Sequence, residues 1–345
     1  MTGTPLHVAH VMLTRRFAGT ERHVVELANA QAAAGHRVSL ILRRDGAMPK
    51  PDGIRQHVHE NVAVVVVPNL LRGWHARRAL QRLQPDIAHA HLTAARTALR
   101  GWRTTIPRLA TLHIEYKPQQ HADLDGLIAI APWQFEAMPP AQRARSVHID
   151  NWTLPRSPTL GARAQLRQAH GIAADAFVFG ALGRVEDSKG LDVLVEAWKR
   201  AALPADARLV IVGQGKAWER LRQAAPADVV MPGFTEVARD WLEVFDVFVS
   251  AARSEPFGLV LLEAMHAGLP VIASASQGAT HLQSVIGTPL LPVGDADALA
   301  KRLRDVFDAR PSRHGYDLER FTIEPKLAEI EAFYRRLLAG RETRS

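Results

Sequence analysis

The chain reads as an α/β protein of two domains, each a parallel sheet covered by helices. Three observations predict this. At 345 residues it is too long for one ordinary core. Short β-rich runs alternate with helical patterns through the first half, and the second half repeats that alternation, as parallel strands joined by right-handed crossovers do. Apolar residues at 47% and charged residues at 23% supply a well-filled interior, so disorder is not expected.

The strands of the first half are "LHVAHVML", "RVSLILRR", "VAVVVVP", "DIAHAH", "RLATLH" and "GLIAIA". Between the first two, Val24, Val25, Leu27 and Ala28 form an apolar helical face that ends at Gly35. The second half supplies "FVFGALGR", "RLVIVGQG", "DVVMPGF", "VFVSAA" and "PVIASAS", each leading into a loop and then a helix. The proline-bearing stretch "NWTLPRSPTLGARAQLRQ" separates a first domain, 1–156, from a second, 157–320, with the boundary near Arg156. In the last segment, 321–345, Leu327, Ile330, Phe333, Tyr334 and Leu337 recur at helical spacing, so an amphipathic helix is expected to dock back on the first domain. Two sheets of this kind are Rossmann-like, and the expected site is a cleft facing the carboxyl ends of their strands.

Composition removes several function classes. With no cysteines, disulfides, zinc ribbons and thiol nucleophiles are excluded, and a reducing cytoplasm is compatible. The most apolar run, "VAVVVVP", is far shorter than the roughly 20 residues of a spanning helix. The N-terminus lacks a basic n-region, so no signal peptide is expected. The net charge of +8 is concentrated in residues 1–160, which carry +9.

Two loops carry chemistry. In "GALGRVEDSKGLDVLVEAW" a strand passes through Gly183 into a helix, and Arg184 and Lys189 flank the helix start, where backbone N–H groups already favour an anion. Two cations there suit a diphosphate; the alternative is a pair of solvated loop charges. In "SEPFGLVLLEAMHAGLPVIAS" a second helix starts at Gly258, so the amides near Phe257, Gly258 and Leu259 face the same region. Glu263 lies inside that helix among Leu261, Leu262 and Met265, where an unpaired carboxylate is costly. The vicinal hydroxyls of a ribose would satisfy it, and Glu255 could hold sugar hydroxyls in the same way. The bland reading pairs Glu263 with Arg253 or makes Glu255 a helix cap.

Taken in order and spacing, "GRVEDSKGLDVLVEAW", "LVIVGQG" and "SEPFGLVLLEAMHAGLPVIAS" resemble the donor domain of retaining glycosyltransferase family 4, a nucleotide-sugar-dependent family with the GT-B fold. "AGTERHVVELANAQAAAGHRV" is similar to that family's glycine loop and first helix, and "DIAHAH", "TLH" and "IDN" fall where its cleft residues occur. The resemblance implies that Arg184 and Lys189 bind the donor diphosphate with Gly183 beside them, and that Glu263 holds the ribose. It implies that Glu255 and the amides of Phe257, Gly258 and Leu259 hold the transferred sugar. By the same resemblance Gly19 approaches the phosphates, His113 faces the anomeric centre, and Gly233 and Phe234 at "MPGF" contact the base. Glu21, Glu115 and Asn151 are candidates for acceptor contact. There are departures: the family's glycine pair is Ala18-Gly19 here, and His281 stands where many members carry a glutamate.

No cofactor or metal is expected, because Arg184, Lys189 and two helix starts stabilise a leaving diphosphate themselves. The Asp-x-Asp patterns at Asp123 and Asp295 read as a turn and a helix cap, and His89 and His91 lack a carboxylate at ligand spacing. Arg72, Arg77, Arg78, Arg82, Arg96, Arg100 and Arg103 with Trp74 and Trp102 suit an anionic membrane surface, which points to a saccharide or lipid-linked acceptor at the cytoplasmic membrane face. Nucleic acid is not an expected partner, for no recognition motif accompanies the charge. Cell-envelope polysaccharide or lipopolysaccharide synthesis is the expected setting; a nucleotide-sugar epimerase of the same fold, or a non-catalytic nucleotide-sugar-binding protein, is the alternative.

Overall fold

The computed structural model describes residues 4–50, 52–155 and 157–342. Two compact units emerge: unit 1 comprises Met1–Trp152 with Phe321–Ser345, and unit 2 comprises Thr153–Arg320. Arg156 itself lies outside the described residues.

Unit 1 holds seven parallel strands, β1 (His7–Met12), β2 (Arg37–Arg43), β3 (Val62–Val67), β4 (Ile87–His91), β5 (Arg108–Leu112), β6 (Gly126–Ala129) and β7 (Val147–His148), in the order β3-β2-β1-β4-β5-β6-β7. Every residue of β1 and β4 is buried, as expected of central strands covered on both faces, whereas the edge strand β3 is partly open. That position explains why near-identical apolar runs differ in exposure. The two-residue β7 has no counterpart in the sequence reading, being too short for any alternation to register.

The helix Gly19–Ala33 follows β1, and the helix Ile323–Glu342 closes the unit. Its Ile323, Leu327, Ile330, Phe333 and Tyr334 are buried in one cluster with Leu6, Val8, Leu109 and Ile128 of the sheet side. Burying apolar side chains at ~25 cal/mol per Å² makes this returning helix part of the first unit's core.

Unit 2 holds five parallel strands, β8 (Phe177–Leu182), β9 (Ala207–Val212), β10 (Val229–Gly233), β11 (Val247–Ser250) and β12 (Val271–Ala273), in the order β10-β9-β8-β11-β12. Helices Leu191–Ala201 and Ala296–Ala309 bury Leu194, Trp198, Leu299 and Leu303 together with Phe179 and Leu209. In both sheets the strand order reverses beside the first strand, between β1 and β4 and between β8 and β11. The carboxyl ends of these strand pairs are where an open parallel sheet binds its ligand.

Candidate functional site

In unit 2, Gly183 and Arg184 follow β8, then a 3-10 turn, Asp187–Lys189, leads to Gly190 and the helix Leu191–Ala201. A Cβ at Gly190 would stand 2.0 Å from the Ala251 carbonyl oxygen, and its φ is +60°, so only glycine lets this loop lie against the end of β11. The close approach brings Lys189 and Glu255 into an ion pair, with side chains 23% and 14% exposed. Arg184 is open to solvent and its guanidinium bonds Glu186 at 3.1 Å. Gly183, Arg184, Lys189, Ser250, Ala252 and Glu255 line one pocket at the strand ends. Each cation therefore already has a carboxylate partner, an arrangement the sequence did not disclose.

Gly258, at φ +97°, precedes the helix Leu259–His266. Phe257 buries its ring in unit 2, where His281 lies 5.6 Å away centroid to centroid. Glu263 sits in this helix and already has an arginine partner, which is Arg239 and not the Arg253 of the bland reading. Arg253 makes a two-pronged contact with Asp192, at 2.7 Å for both bonds, whereas Arg239 grips Glu263 Oε1 through Nε at 2.9 Å and Nη2 at 2.6 Å. Arg239 reaches it from the turn Ala238–Asp240 beyond β10; Gly233 ends that strand, and Phe234 is 65% exposed. Nearness in sequence favoured Arg253, but the order of strands places Arg239 at the carboxylate.

In unit 1 the corresponding strand ends carry histidines. Gly19 is the first residue of the helix after β1, and Glu21 is buried in its first turn with no hydrogen bond or ion pair among the described residues. His113 directly follows β5 and is buried together with His10, His23, His89 and His91. His10 lies opposite His89 in the β1–β4 register, and Met12 opposite His91. His10 Nδ1 and His91 Nε2 are 3.0 Å apart, and His91 Nδ1 is 3.4 Å from His113 Nε2. His10 Nε2 meets Gln31 Oε1 at 2.7 Å; Gln31 Nε2 donates to the Tyr334 hydroxyl at 3.3 Å; His89 meets Tyr334 at 2.7 Å and Thr111 at 2.8 Å. Burial pushes His10 down to about 4 and His113 down to about 3. Burial, and then neighbouring histidines, hold His23, His89 and His91 well below the ordinary value. The whole cluster is neutral at pH 7.

Asn151 and His23 are adjacent to this cluster. His23 stacks on Trp152 at 3.9 Å and meets His113 edge-on at 5.3 Å. The Asn151 amide offsets a little of the depression at His23, yet neither His23 Nδ1 nor Asn151 Oδ1 meets hydrogen-bond geometry with a described residue. Two buried polar atoms without partners are costly and are satisfied by a ligand or water. Glu115, by contrast, lies at the surface in an ion pair with Lys117 at 2.7 Å, which lowers its carboxyl.

Ring nitrogens of His10, His89 and His91 lie within 4.8 Å of one another, a grouping that could hold a metal ion. The sequence disclosed only the second and third. Gln31, Thr111, Tyr334 and His91 already engage these nitrogens, so an ion would have to displace those bonds. Asp295 caps the helix Ala296–Ala309 by accepting from the Ala298 amide at 2.9 Å, while Asp123 and Asp125 accept from the amides of Gly101 and Arg108, both at 2.8 Å. Each has a structural partner.

The basic surface of unit 1 is smaller than the sequence suggested. Trp102 is buried, Arg96 donates to the Gln120 carbonyl at 2.5 Å, and Arg77 donates to the Ala98 and Arg100 carbonyls at 2.9 and 2.6 Å. These three are structural. Trp74 is exposed with Leu70 and Leu71, and Arg78 lies 4.5 Å over its ring. Leu71 holds φ +50°, a left-handed conformation that costs a leucine about 1 kcal/mol. Among the described residues no helix is long and apolar enough to cross a membrane.

Both halves of the chain are similar to known glycosyltransferases. A family model described as Glycosyltransferase Family 4 matches residues 17–174, and one described as Glycosyl transferases group 1 matches residues 176–309. The lipopolysaccharide core biosynthesis glycosyltransferase LpsD of Rhizobium meliloti is 29% identical over 304 residues, covering 83% of this chain and 85% of that one. A D-inositol 3-phosphate glycosyltransferase of Xylanimonas cellulosilytica is 32% identical over 208 residues, covering 56% and 46%. Among solved structures, Anabaena HepE in complex with UDP and glucose superposes with a TM-score of 0.77 at 20% identity, covering 95% and 98% of the chains. WaaG, described as a glycosyltransferase involved in lipopolysaccharide biosynthesis, gives 0.66 at 17% identity, covering 97% and 95%. The chain is a glycosyltransferase with the GT-B fold of two Rossmann-like domains. Within that class it is of the family-4-like type.

Proposed function

We propose that this glycosyltransferase moves a sugar from a nucleoside diphosphate donor to a hydroxyl of a saccharide or lipid-linked acceptor, with retention at the anomeric carbon. The observation that carries the reading is the pairing of Lys189 with Glu255 at the point where the strand order of unit 2 reverses. In the absence of donor each neutralises the other. When a diphosphate arrives, its oxygens compete for the Lys189 ammonium and for Arg184, and Glu255 is released to accept from hydroxyls of the sugar. The leaving diphosphate is stabilised by these cations and by the amides of Phe257, Gly258 and Leu259 at a helix start, so the reaction needs no metal.

Glu263 accepts from the ribose, and Arg239 holds that carboxylate in place. Gly183 and Gly19 admit the phosphates, and Gly233 and Phe234 flank the base. His113 acts at the transferred sugar, while Asn151 and the unpaired carboxylate of Glu21 receive the acceptor. Glu115 is the weaker acceptor candidate because Lys117 holds it. The support for a membrane-bound acceptor is the exposed group Leu70, Leu71 and Trp74 with Arg78, an apolar tip beside a cation that suits an anionic lipid surface at the cytoplasmic face. The relatives that act in lipopolysaccharide core synthesis favour a cell-envelope glycan as the product.

The test incubates the full chain with a panel of nucleotide sugars and simple saccharide acceptors and reads the anomeric proton of the product by NMR. Transfer with the donor's anomeric configuration is expected. Transfer with inversion, or turnover of the donor into its epimer with no acceptor present, would contradict the proposal.

A further inference from the structure

The buried polar network of unit 1 has a direction that can be followed atom by atom. Gln31 anchors it, because the two ends of an amide differ: the oxygen only accepts and the nitrogen only donates. Gln31 Oε1 faces His10 Nε2 at 2.7 Å, so His10 carries its proton on Nε2 and offers a lone pair at Nδ1. His91 Nε2, 3.0 Å away, must then donate to His10, which leaves a lone pair on His91 Nδ1. His113 Nε2, at 3.4 Å, donates to that lone pair. His113 is therefore left with a lone pair at Nδ1, a nitrogen with no hydrogen bond to a described residue. On the other branch, Gln31 Nε2 donates to Tyr334, the Tyr334 hydroxyl donates to His89 Nδ1, and His89 Nε2 donates to Thr111. No donor faces a donor anywhere in the network.

We infer that Gln31, His10 and His91 form a relay of positioning residues, anchored by Tyr334 of the C-terminal helix, that fixes the tautomer and orientation of His113 and makes its Nδ1 an acceptor. The inference rests on the reading that His113 acts at the transferred sugar. Its content is that the side chain is presented neutral and as an acceptor, so it can take a hydrogen bond from a hydroxyl but cannot supply one. Both ring nitrogens of His10 and of His91 are engaged by neighbouring side chains, so each ring's tautomer determines the next. Turning the Gln31 amide end for end would reverse every donor in the chain and leave a proton on His113 Nδ1. Tyr334 joins the two branches: a turned amide would accept from its hydroxyl and so would also have to reverse the bonds to His89 and Thr111.

Histidine ring 15N NMR on the full chain reads each tautomer directly. In the wild type, His10, His91 and His113 are each expected to be protonated at Nε2 alone. In Tyr334→Phe the amide is uncoupled from the His89 branch and can turn alone, and His113 is expected to show both tautomers although Tyr334 does not touch it. Gln31→Leu is expected to do the same. Turnover of whichever nucleotide sugar binds should fall about tenfold in kcat with KM little changed, the mark of lost positioning rather than lost binding. Tyr334→Phe is nearly isosteric and keeps the experiment informative where Gln31→Leu fails to fold. A single, unchanged Nε2–H tautomer at His113 in a folded Tyr334→Phe variant would overturn the relay. If the tautomers respond as expected but the wild type binds no nucleotide sugar, the relay stands and the functional reading fails.

Discussion

The two units place opposite chemistries at equivalent positions. Each has a parallel sheet whose strand order reverses beside its first strand, and each gathers polar side chains at the carboxyl ends of the strands that flank the reversal. In unit 2 these are charged, partly exposed and held in ion pairs: Lys189 with Glu255, Arg184 with Glu186, Arg239 with Glu263. In unit 1 they are neutral, buried and hydrogen-bonded ring to ring. Charges that remain in contact with water can exchange one partner for another at small cost, which suits a charged ligand that must arrive and leave. A buried neutral network cannot rearrange cheaply, which suits the holding of one group in one orientation.

Three experiments would break or sharpen this contrast. The largest effect belongs to unit 2: Arg184→Ala with Lys189→Ala should lower kcat/KM by about 100-fold or more, the scale of removing preorganised charge from a developing anion. A loss of only a few-fold would mean that the two cations serve the loop and not the ligand.

Acid should act on unit 1 first. The folded chain holds His10 down to about 4 and His113 down to about 3, with His23, His89 and His91 also lowered, while an unfolded histidine titrates near 6.5. Below that value the unfolded chain binds protons that the folded chain does not. Stability is therefore full above about pH 6.5 and is lost as pH falls, at up to about 1.4 kcal/mol per pH unit for each histidine. All five act in the same direction, so unit 1 loses stability as pH falls below about 6.5. Tryptophan fluorescence and hydrogen exchange across a pH series should show the unit 1 strands opening before those of unit 2; simultaneous opening would contradict the contrast.

The smallest effect is at the exposed tip. Leu70→Ser with Trp74→Ser should weaken flotation with anionic vesicles by roughly three- to tenfold at low salt and leave nucleotide binding unaltered. Equal flotation by the variant would remove the apolar tip from any membrane contact.

How much of this was legible in the sequence follows from the same contrast. The strands could be seen because parallel strands buried on both faces are written as short apolar runs. Lys189, Glu255 and Glu263 could be seen because each lies close in sequence to the helix start it serves, in a loop with a distinctive pattern. Their partners were less visible: Arg253 is nearer to Glu263 in sequence, but Arg239, in the connection from β10 to β11, is the residue that meets that carboxylate. The relay was hidden for a stronger reason. Gln31 and Tyr334 are 303 positions apart, and His10 meets His91 only through the register of β1 against β4. Alternation placed His89 and His91 on one face, and it could not say what that face would meet. Trp102 teaches the converse, for an arginine-rich segment with a tryptophan looked like surface and proved to be partly core.

The most direct test of the account is binding of UDP, GDP, ADP and their sugar conjugates, followed by thermal shift in the wild type, the Arg184→Ala, Lys189→Ala double variant and Glu263→Ala. Stabilisation by one nucleoside diphosphate family, lost in the double variant and weakened in Glu263→Ala, is the predicted result. Equal stabilisation of all three proteins by the same nucleotide would place the donor elsewhere and contradict the assignment of the charged strand ends of unit 2.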